Sequence, residues 1–419
     1  MTFRDLLVDT MRTIWAHKLR TGLTMFGIAW GIVSITLMVA AGEGLRAGQK
    51  KQTDNLGKDI LIVFAGRTSM QVGGERAGRR IRFRDTDHEA IAPEATACEY
   101  VLPEMGQGNT PIRSTHNSAS LLVTASLPPF SYIRSISVAE GRFYNWADQA
   151  EGRRVAFLGS DARKQLFGSH QAVGDVIQIG DFPYTVVGVM QFKEQDSSYD
   201  GRDVNKIFVP FAAMIRDFPH ATPSPPHTID QLLVAPRSIE DHDACKWQLS
   251  RALGRLHGFD PADKEALPMN DTIEQTARFQ KMTDGMKYFL GAVGVTTLFL
   301  GGIGVMNVML VAVRERTREI GVRKAVGASG RSILVQFFAE TMIVVGISGA
   351  IGLGIAFGIC ALVNLLPMPP FFNGLTPTIG TSLLSFALLG LVALGSAMYP
   401  ASRAAAIDPI EALRYEAGG

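Results

Sequence analysis

Few residues in this sequence have the types and spacing that chemistry needs. No Gly-x-x-x-x-Gly-Lys-Ser/Thr string occurs, so the chain holds no phosphate-cradling loop. His-Glu-x-x-His, Cys-x-x-Cys and Gly-x-Ser-x-Gly are absent as well, and the eight histidines are scattered. "EDHDAC" (240–245) gathers Asp241, His242, Asp243 and Cys245, from which a metal site can be drawn; a solvated helix start accounts for the same residues, and no metal is assigned. Cys98 and Cys245 share the long segment between the first two apolar stretches, where a disulfide is permitted, and nothing in the sequence shows that they meet. Cys360 lies in an apolar stretch and packs there. A catalytic reading therefore has no support.

The densest charge lies elsewhere. "RERTREIGVRKAVGASGR" (314–331) sets six basic and two acidic side chains between two strongly apolar stretches. Glu319 precedes Arg323 by four residues, the favourable order for a helical ion pair, so the segment reads as a short helix. Ile320, Val322, Ala325 and Val326 add apolar surface, and Gly321, Gly327 and Gly330 permit turns at its ends. Charged and apolar positions mixed on a short helix suit a docking element.

The elements that hold this segment are set by where charge is missing. No charged residue occurs from Thr21 to Gly42, none from Tyr288 to Val313, and none in the 62 positions between Glu340 and Arg403. A bilayer core takes roughly 20 apolar helical residues. The 62-residue stretch fits two spans around "NLLPMPPFFNGLTPTIG" (364–380), which is rich in proline and glycine. Four transmembrane helices follow, at 20–42, 286–313, 333–363 and 380–402. The first apolar stretch is too long for the core of a cleaved signal peptide.

Arg4, Arg12, Lys18 and Arg20 flank the first span and six basic residues fill 314–331, whereas the third and fourth spans are joined by an uncharged loop at 364–379. Short basic flanks stay in the cytoplasm, which puts both termini, including the 403–419 tail, and 314–331 inside and 43–285 outside. Residues 1–19 carry Phe3, Leu6, Leu7, Met11, Ile14 and Trp15 at helical spacing, as an amphipathic helix in contact with membrane lipid does. Glu340 falls about one turn into the third span; an ionisable group there is a functional candidate by default, and at this depth it reaches back to Arg331 or Lys324. Gly346, Ala350, Gly354 and Gly358 form a small-residue stripe on the third span, and Gly27 with Gly31 a shorter one on the first. Such stripes let helix backbones approach, within a subunit or between subunits.

The segment 43–285 reads as a folded α+β domain of two lobes with a helical stalk at its end. "RRVAFLGS" (153–160) is a strand, "DARKQLFG" (161–168) a helix closed by Gly168, and "DVIQIGDFPYTVVGVM" (175–190) a hairpin turning at Gly180-Asp181. "KIFVPF" and "QLLVAP" are further strands, 238–257 a helix, and 271–285 a helix running into the second span. Residues 66–80 and 193–205 read as mobile loops. The 41 Lys and Arg nearly balance the 39 Asp and Glu, which argues against a nucleic-acid partner.

"MNVMLVAVRERTREIGVRKAVGAS" (306–329) resembles the signature of the MacB/FtsX-like family of ABC transporter permeases. "LRTGLTMFGIAWGIVSITLMVAAGEG" (19–44) is similar to that family's first span, and "YPASRAAAIDPIEALRYE" (399–416) to its C-terminal tail. "GRFYNWAD", "VAFLGSDARKQLFG", "VGDVIQIGDFPYTVVGVM" and "IFVPF" resemble the MacB-type periplasmic core domain. The resemblance implies a dimeric inner-membrane permease, homodimeric or heterodimeric, working by mechanotransmission. Its coupling helix, here Arg314, Glu315, Arg316, Arg318, Glu319, Ile320, Gly321, Arg323, Lys324 and Gly327, docks on an ABC ATPase. Because the first span begins about 20 residues into the chain, the ATPase is expected as a separate polypeptide holding the ATP and Mg, with no cofactor on the permease itself. The implied role is efflux of an antimicrobial, peptide or other amphiphile through a periplasmic adaptor and outer-membrane channel. The alternatives are release of lipoproteins and FtsX-like signalling to cell-wall hydrolases.

Overall fold

The computed structural model describes residues 18–56, 59–74, 76–195, 198–220, 227–369, 371–377 and 379–414. The amphipathic helix expected at 1–19 lies almost wholly outside the described residues. The chain divides into two compact units, Gln49–Phe279 and Met1–Gly48 with Gln280–Gly419.

The first unit is built on a ten-stranded mixed sheet in the order β10-β1-β9-β2-β3-β8-β5-β7-β4, with β6 paired to β2 and β7. Its strands are β1 (Leu61–Phe64), β2 (Cys98–Arg113), β3 (Ser118–Ser126), β4 (Val138–Gly141), β5 (Val155–Leu158), β6 (Val176–Ile179), β7 (Phe182–Met190), β8 (Lys206–Pro210), β9 (Gln231–Pro236) and β10 (Met269–Asp271). β5, β8 and β9 are short apolar runs buried at every position, as interior strands covered on both faces must be. β3 runs parallel to β8 and β5 parallel to β7; the other pairs are antiparallel. The β6–β7 hairpin turns at Gly180, whose φ of 55° suits the first position of a two-residue turn. The helix Ser160–Phe167 begins at the end of the stretch read as a strand, and Gly168 at φ 58° closes it. The helix read from 238 starts at His242 and ends at Gly258, in the left-handed region.

Cys98, the first residue of β2, is joined by a disulfide to Cys245. His242 Nε2 lies 2.7 Å from Asp271 Oδ2, where it ties the helix start to β10. Within "EDHDAC", Cys245 is therefore in the disulfide and His242 lies against Asp271. Residues 66–80 form a pinned turn: Arg67 bridges Arg80, and Asp263 accepts from the backbone N–H and hydroxyl of Ser69. Within the stretch 193–205, read as a mobile loop, Lys193, Gln195 and Asp203 are buried.

The second unit takes in residues 18–48 of the helix Lys18–Leu56, residues 280–315 of the helix Thr272–Glu315, and the helices Thr317–Ala325, Gly330–Val363, Ile379–Ala406 and Pro409–Arg414. Among the described residues, three of these are long and apolar enough to cross a membrane: the first, Thr272–Glu315 and Gly330–Val363. Ile379–Ala406 is a helix of 28 residues. Ile28, Ile32 and Ile35 of the first helix meet Leu298, Val305, Val345, Leu389 and Ala393 in one apolar cluster, so all four long helices share a core. A second cluster of Val313, Ile320, Ile333, Phe337, Ala401 and Ala404 closes the end of the bundle that carries 314–331.

Candidate partner-docking site

The charged segment is a helix between two turns. Arg316 precedes Thr317–Ala325, Gly327 takes a φ of 107° after it, and the Ser329 side chain accepts from Ser332 N–H to start the next helix. The segment has two faces.

One face is engaged inside the subunit. Ile320 is 3 % exposed, and a Cβ built on Gly321 would lie 2.5 Å from Ala412 Cβ, so only glycine lets the Pro409–Arg414 helix seat there. Arg316 Nη1 lies 3.3 Å from Glu340 Oε2, and Gln336 Nε2 donates to Glu340 Oε1 at 3.3 Å. Among the described residues the ion pair of Glu340 is with Arg316, where the sequence suggested Arg331 or Lys324, because the turn at 316 brings Arg316 over the first turns of Gly330–Val363. Arg323 donates to Glu319 Oε1 at 2.6 Å, the i,i+4 pair its spacing requires, and to Gln336 Oε1 at 2.8 Å. Lys324 Nζ donates to the carbonyls of Ala405 and Ile407, both at 2.7 Å, and so caps the end of Ile379–Ala406.

The other face is open. Arg314, Glu315, Arg318, Glu319, Ala325 and Gly327 are exposed there, with Val322 at 47 % and Val326 at 85 %. Beside it, Leu310, Arg314, Thr317, Tyr399, Arg403 and Glu411 line a groove of about 430 Å³. Val322 and Val326 thus make a small exposed apolar patch rimmed by charge. The ten residues singled out in the sequence thus separate into Arg316, Ile320, Gly321, Arg323 and Lys324, held within the subunit, and Arg314, Glu315, Arg318, Glu319 and Gly327, presented outward. Gln336 was not singled out; its polar side chain on the inward face of an apolar helix was the available signal.

The glycine stripes also separate. Cβ atoms on Gly27 and Gly31 would lie 4.0 Å from Gly301 Cα and 3.1 Å from Leu298 Cδ2, so this pair packs on Thr272–Glu315. On Gly346, Gly354 and Gly358 a Cβ would meet nothing within 4 Å among the described residues, and Ala350 is exposed. The close approaches of that helix are at Gly349 and Gly352, where an added Cβ would lie 2.7 Å from Leu389 Cδ2 and 2.7 Å from the Ala29 carbonyl oxygen.

Comparison with known proteins decides what this scaffold is. Residues 21–252, more than half of the chain, match the MacB-like periplasmic core domain, and residues 291–409 match the FtsX-like permease C-terminal region. The chain belongs to the MacB/FtsX-like family of ABC transporter permeases. The macrolide export ATP-binding/permease protein MacB of Bdellovibrio bacteriovorus is 30% identical over 409 residues, which are 97% of this chain and 61% of that protein. The pyoverdine export ATP-binding/permease protein PvdT of Pseudomonas putida is 32% identical over 411 residues, 97% of this chain and 59% of that protein. The chain thus spans about three fifths of these two relatives. The ABC transporter permease YknZ of Bacillus subtilis is 28% identical over 408 residues, covering 97% of this chain and 98% of YknZ. The first matched region takes in most of the Lys18–Leu56 helix and most of the sheet domain, and the second lies within the helical unit.

Proposed function

We propose that this permease works with a separate ABC ATPase that docks on the open face of 314–331, and that it carries ATP-driven motion to the periplasmic domain to expel an amphiphile such as an antimicrobial or peptide. The observation that carries the reading is the division of that segment. Its inner face is bound to Glu340, Gln336 and the carbonyls of Ala405 and Ile407, so a push on its open face is passed to two long helices rather than absorbed. A second support is the helix Thr272–Glu315, whose last residues, Arg314 and Glu315, begin the docking segment.

Under this reading the termini and 314–331 face the cytoplasm, the sheet domain lies outside the inner membrane, and Ile379–Ala406 is the fourth span. ATP and Mg are held by the partner. A second permease subunit packs on the outward stripe Gly346, Ala350, Gly354 and Gly358, where small residues permit backbone contact. Export is preferred to lipoprotein release or hydrolase signalling because the MacB and PvdT relatives bear export names. Transfer onward would use an adaptor and an outer-membrane channel.

The test is a photo-reactive amino acid at Val326 in living cells. The expected product is one cross-link to an ABC ATPase, lost when Val322→Asp is added to the same protein. A cross-link to lipid alone, or none, overturns the docking assignment.

A further inference from the structure

β2 is the strand that the two halves of the outer sheet share. It pairs with β9 from Cys98↔Pro236 to Glu104↔Gln231, and with β3 from Met105↔Ala125 onward. Glu104 stands at the rung where the strand changes partner, which is where any bending between the halves has its axis. At that rung the chain places a carboxylate 1 % exposed.

Its surroundings are ionic on several sides. Tyr199 OH donates to Glu104 Oε2 at 2.6 Å, while Oε1 has no hydrogen-bond partner among the described residues. Arg134, wholly buried after the Phe130–Ile133 helix, lies 4.9 Å from the Tyr199 ring centroid and donates to both oxygens of Asp203 at 2.8 and 3.0 Å. Lys206 at the start of β8 pairs with Asp200 at 2.5 Å and Asp203 at 3.4 Å. Lys193, beyond β7, donates to Asp203 at 3.0 Å and to the Arg134 carbonyl at 2.7 Å. Tyr144 is buried and donates to the Ser126 carbonyl. On the β9 side, Asp230 N–H donates to the Glu104 carbonyl, and the Asp230 carboxylate accepts from Gly106 N–H and faces His220 at 3.3 Å.

The aspartates hold the direct ion pairs, and Glu104 holds none among the described residues. Burial would raise Asp203, yet Arg134, Lys206 and Lys193 outweigh it and keep that carboxyl well below the usual range. Glu104 goes the other way. Burial first, and then the charge of Asp200, push it up to about 7 against the pull of Lys206 and Arg134. A half-satisfied buried carboxylate is costly, and a neutral carboxyl at the same place is not.

We propose that Glu104 is a proton-operated latch at the hinge of the outer domain: its neutral carboxyl holds the Tyr199–Lys206 side of the cluster against β2, and loss of the proton favours release there and bending between the halves of the sheet. The sign follows from linkage. The closed arrangement binds the proton more tightly than an open, solvated one, so the extra closure is full below a carboxyl's ordinary value and is lost as pH rises through the raised one. The ratio of the two proton affinities bounds the change in the closed-to-open equilibrium at roughly 10²-fold. In the orientation proposed above, the pH outside the inner membrane would set the latch.

The test uses the full-length permease in nanodiscs and needs no transport assay. Hydrogen exchange at 100–107 and 198–209, corrected for intrinsic rates, is followed from about pH 5.5 to about pH 8.5. Wild-type protection is expected to fall by roughly 30-fold across that range, whose lower end lies above a carboxyl's ordinary value. Glu104→Gln, neutral throughout, should stay protected at every pH. Infrared spectra should contain a carboxylic-acid C=O band that titrates near neutrality and is missing in Glu104→Gln. Tyr199→Phe removes a donor that favours the carboxylate, so the midpoint of that band should move to higher pH; this variant decides the matter if Glu104→Gln does not fold. Flat wild-type protection, a Glu104→Gln protein with wild-type pH dependence, or the absence of a titrating acid band overturns the latch.

Discussion

Glu340→Ala should free the docking segment from the helix that would carry its motion. Glu340 is 4 % exposed, and Arg316 and Gln336 each lie 3.3 Å from its carboxylate. At an effective dielectric of about 20, unit charges at that distance attract by roughly 5 kcal/mol. Desolvation of the buried carboxylate returns much of this, and Arg316, with 27 % of its side chain exposed, is partly screened, which leaves about 1–3 kcal/mol. Glu340→Ala also strips an acceptor from Gln336, for about 1 kcal/mol more. The assay is native-state trypsin cleavage after Arg318. A protease cuts the Thr317–Ala325 helix only when it opens locally, so the cleavage rate reads the open population. A loss of 2–4 kcal/mol raises that rate by roughly 30- to 1,000-fold. ATP hydrolysis by the docked partner should lose its response to the permease while the sheet domain stays folded. Arg316→Met with Glu340→Met should be less than additive by at least about 1 kcal/mol. An unchanged cleavage rate in Glu340→Ala, or strict additivity in the double variant, would refute the pairing and the force path built on it.

Gly352→Leu should prevent folding of the bundle, since a Cβ there already lies 2.7 Å from the Ala29 carbonyl, whereas Gly354→Leu should leave the subunit folded and weaken only subunit association, read as a monomer shift in native mass spectrometry. Cys98→Ser with Cys245→Ser opens a loop of 147 residues and should cost about 2–5 kcal/mol, lowering the Tm of the sheet domain by roughly 5–15 °C in calorimetry. Glu315→Lys with Glu319→Lys should preserve insertion and reduce co-purification of the ATPase, because both acids lie on the open face and reversal adds repulsion to the lost contacts.

Where local pattern and tertiary need coincide, the fold was legible. The hairpin at Gly180, the strands β5, β8 and β9 and the helix ending at Gly258 each carry their own signal: a turn residue, a short apolar run, a left-handed cap. The longest strand was not legible. β2 contains Pro103, Gly106, Gly108 and Pro111 and shifts register between Gln107 and Thr110, so by local rules it reads as loop. It is nonetheless a strand because β9, β3 and β6 supply partners from far along the chain. The glycines of Gly330–Val363 illustrate the same limit. A four-residue period marks one face, but Gly349 and Gly352 occupy another, and only the positions of Ala29 and Leu389 decide which face is covered.

The docking segment was half legible for a related reason. Density of charge shows that a surface is special without showing which way each side chain turns. Arg323 and Lys324 look as available as Arg314 and Arg318 until Gln336 and the carbonyls of Ala405 and Ile407 are in place. Seven charged residues cannot all serve one partner and also hold a helix end against its neighbours. The structure turns Arg316, Arg323 and Lys324 inward and leaves Arg314 and Arg318 exposed, and that division between faces gives the proposed separation its test. Substitutions at Arg316, Arg323 or Lys324 should alter local opening before they alter ATPase affinity, whereas substitutions at Arg314, Arg318 or Val326 should alter affinity with cleavage after Arg331 unchanged. If both sets moved both readouts together, the segment would be a single cooperative surface, and force could not be assigned to one face and recognition to the other.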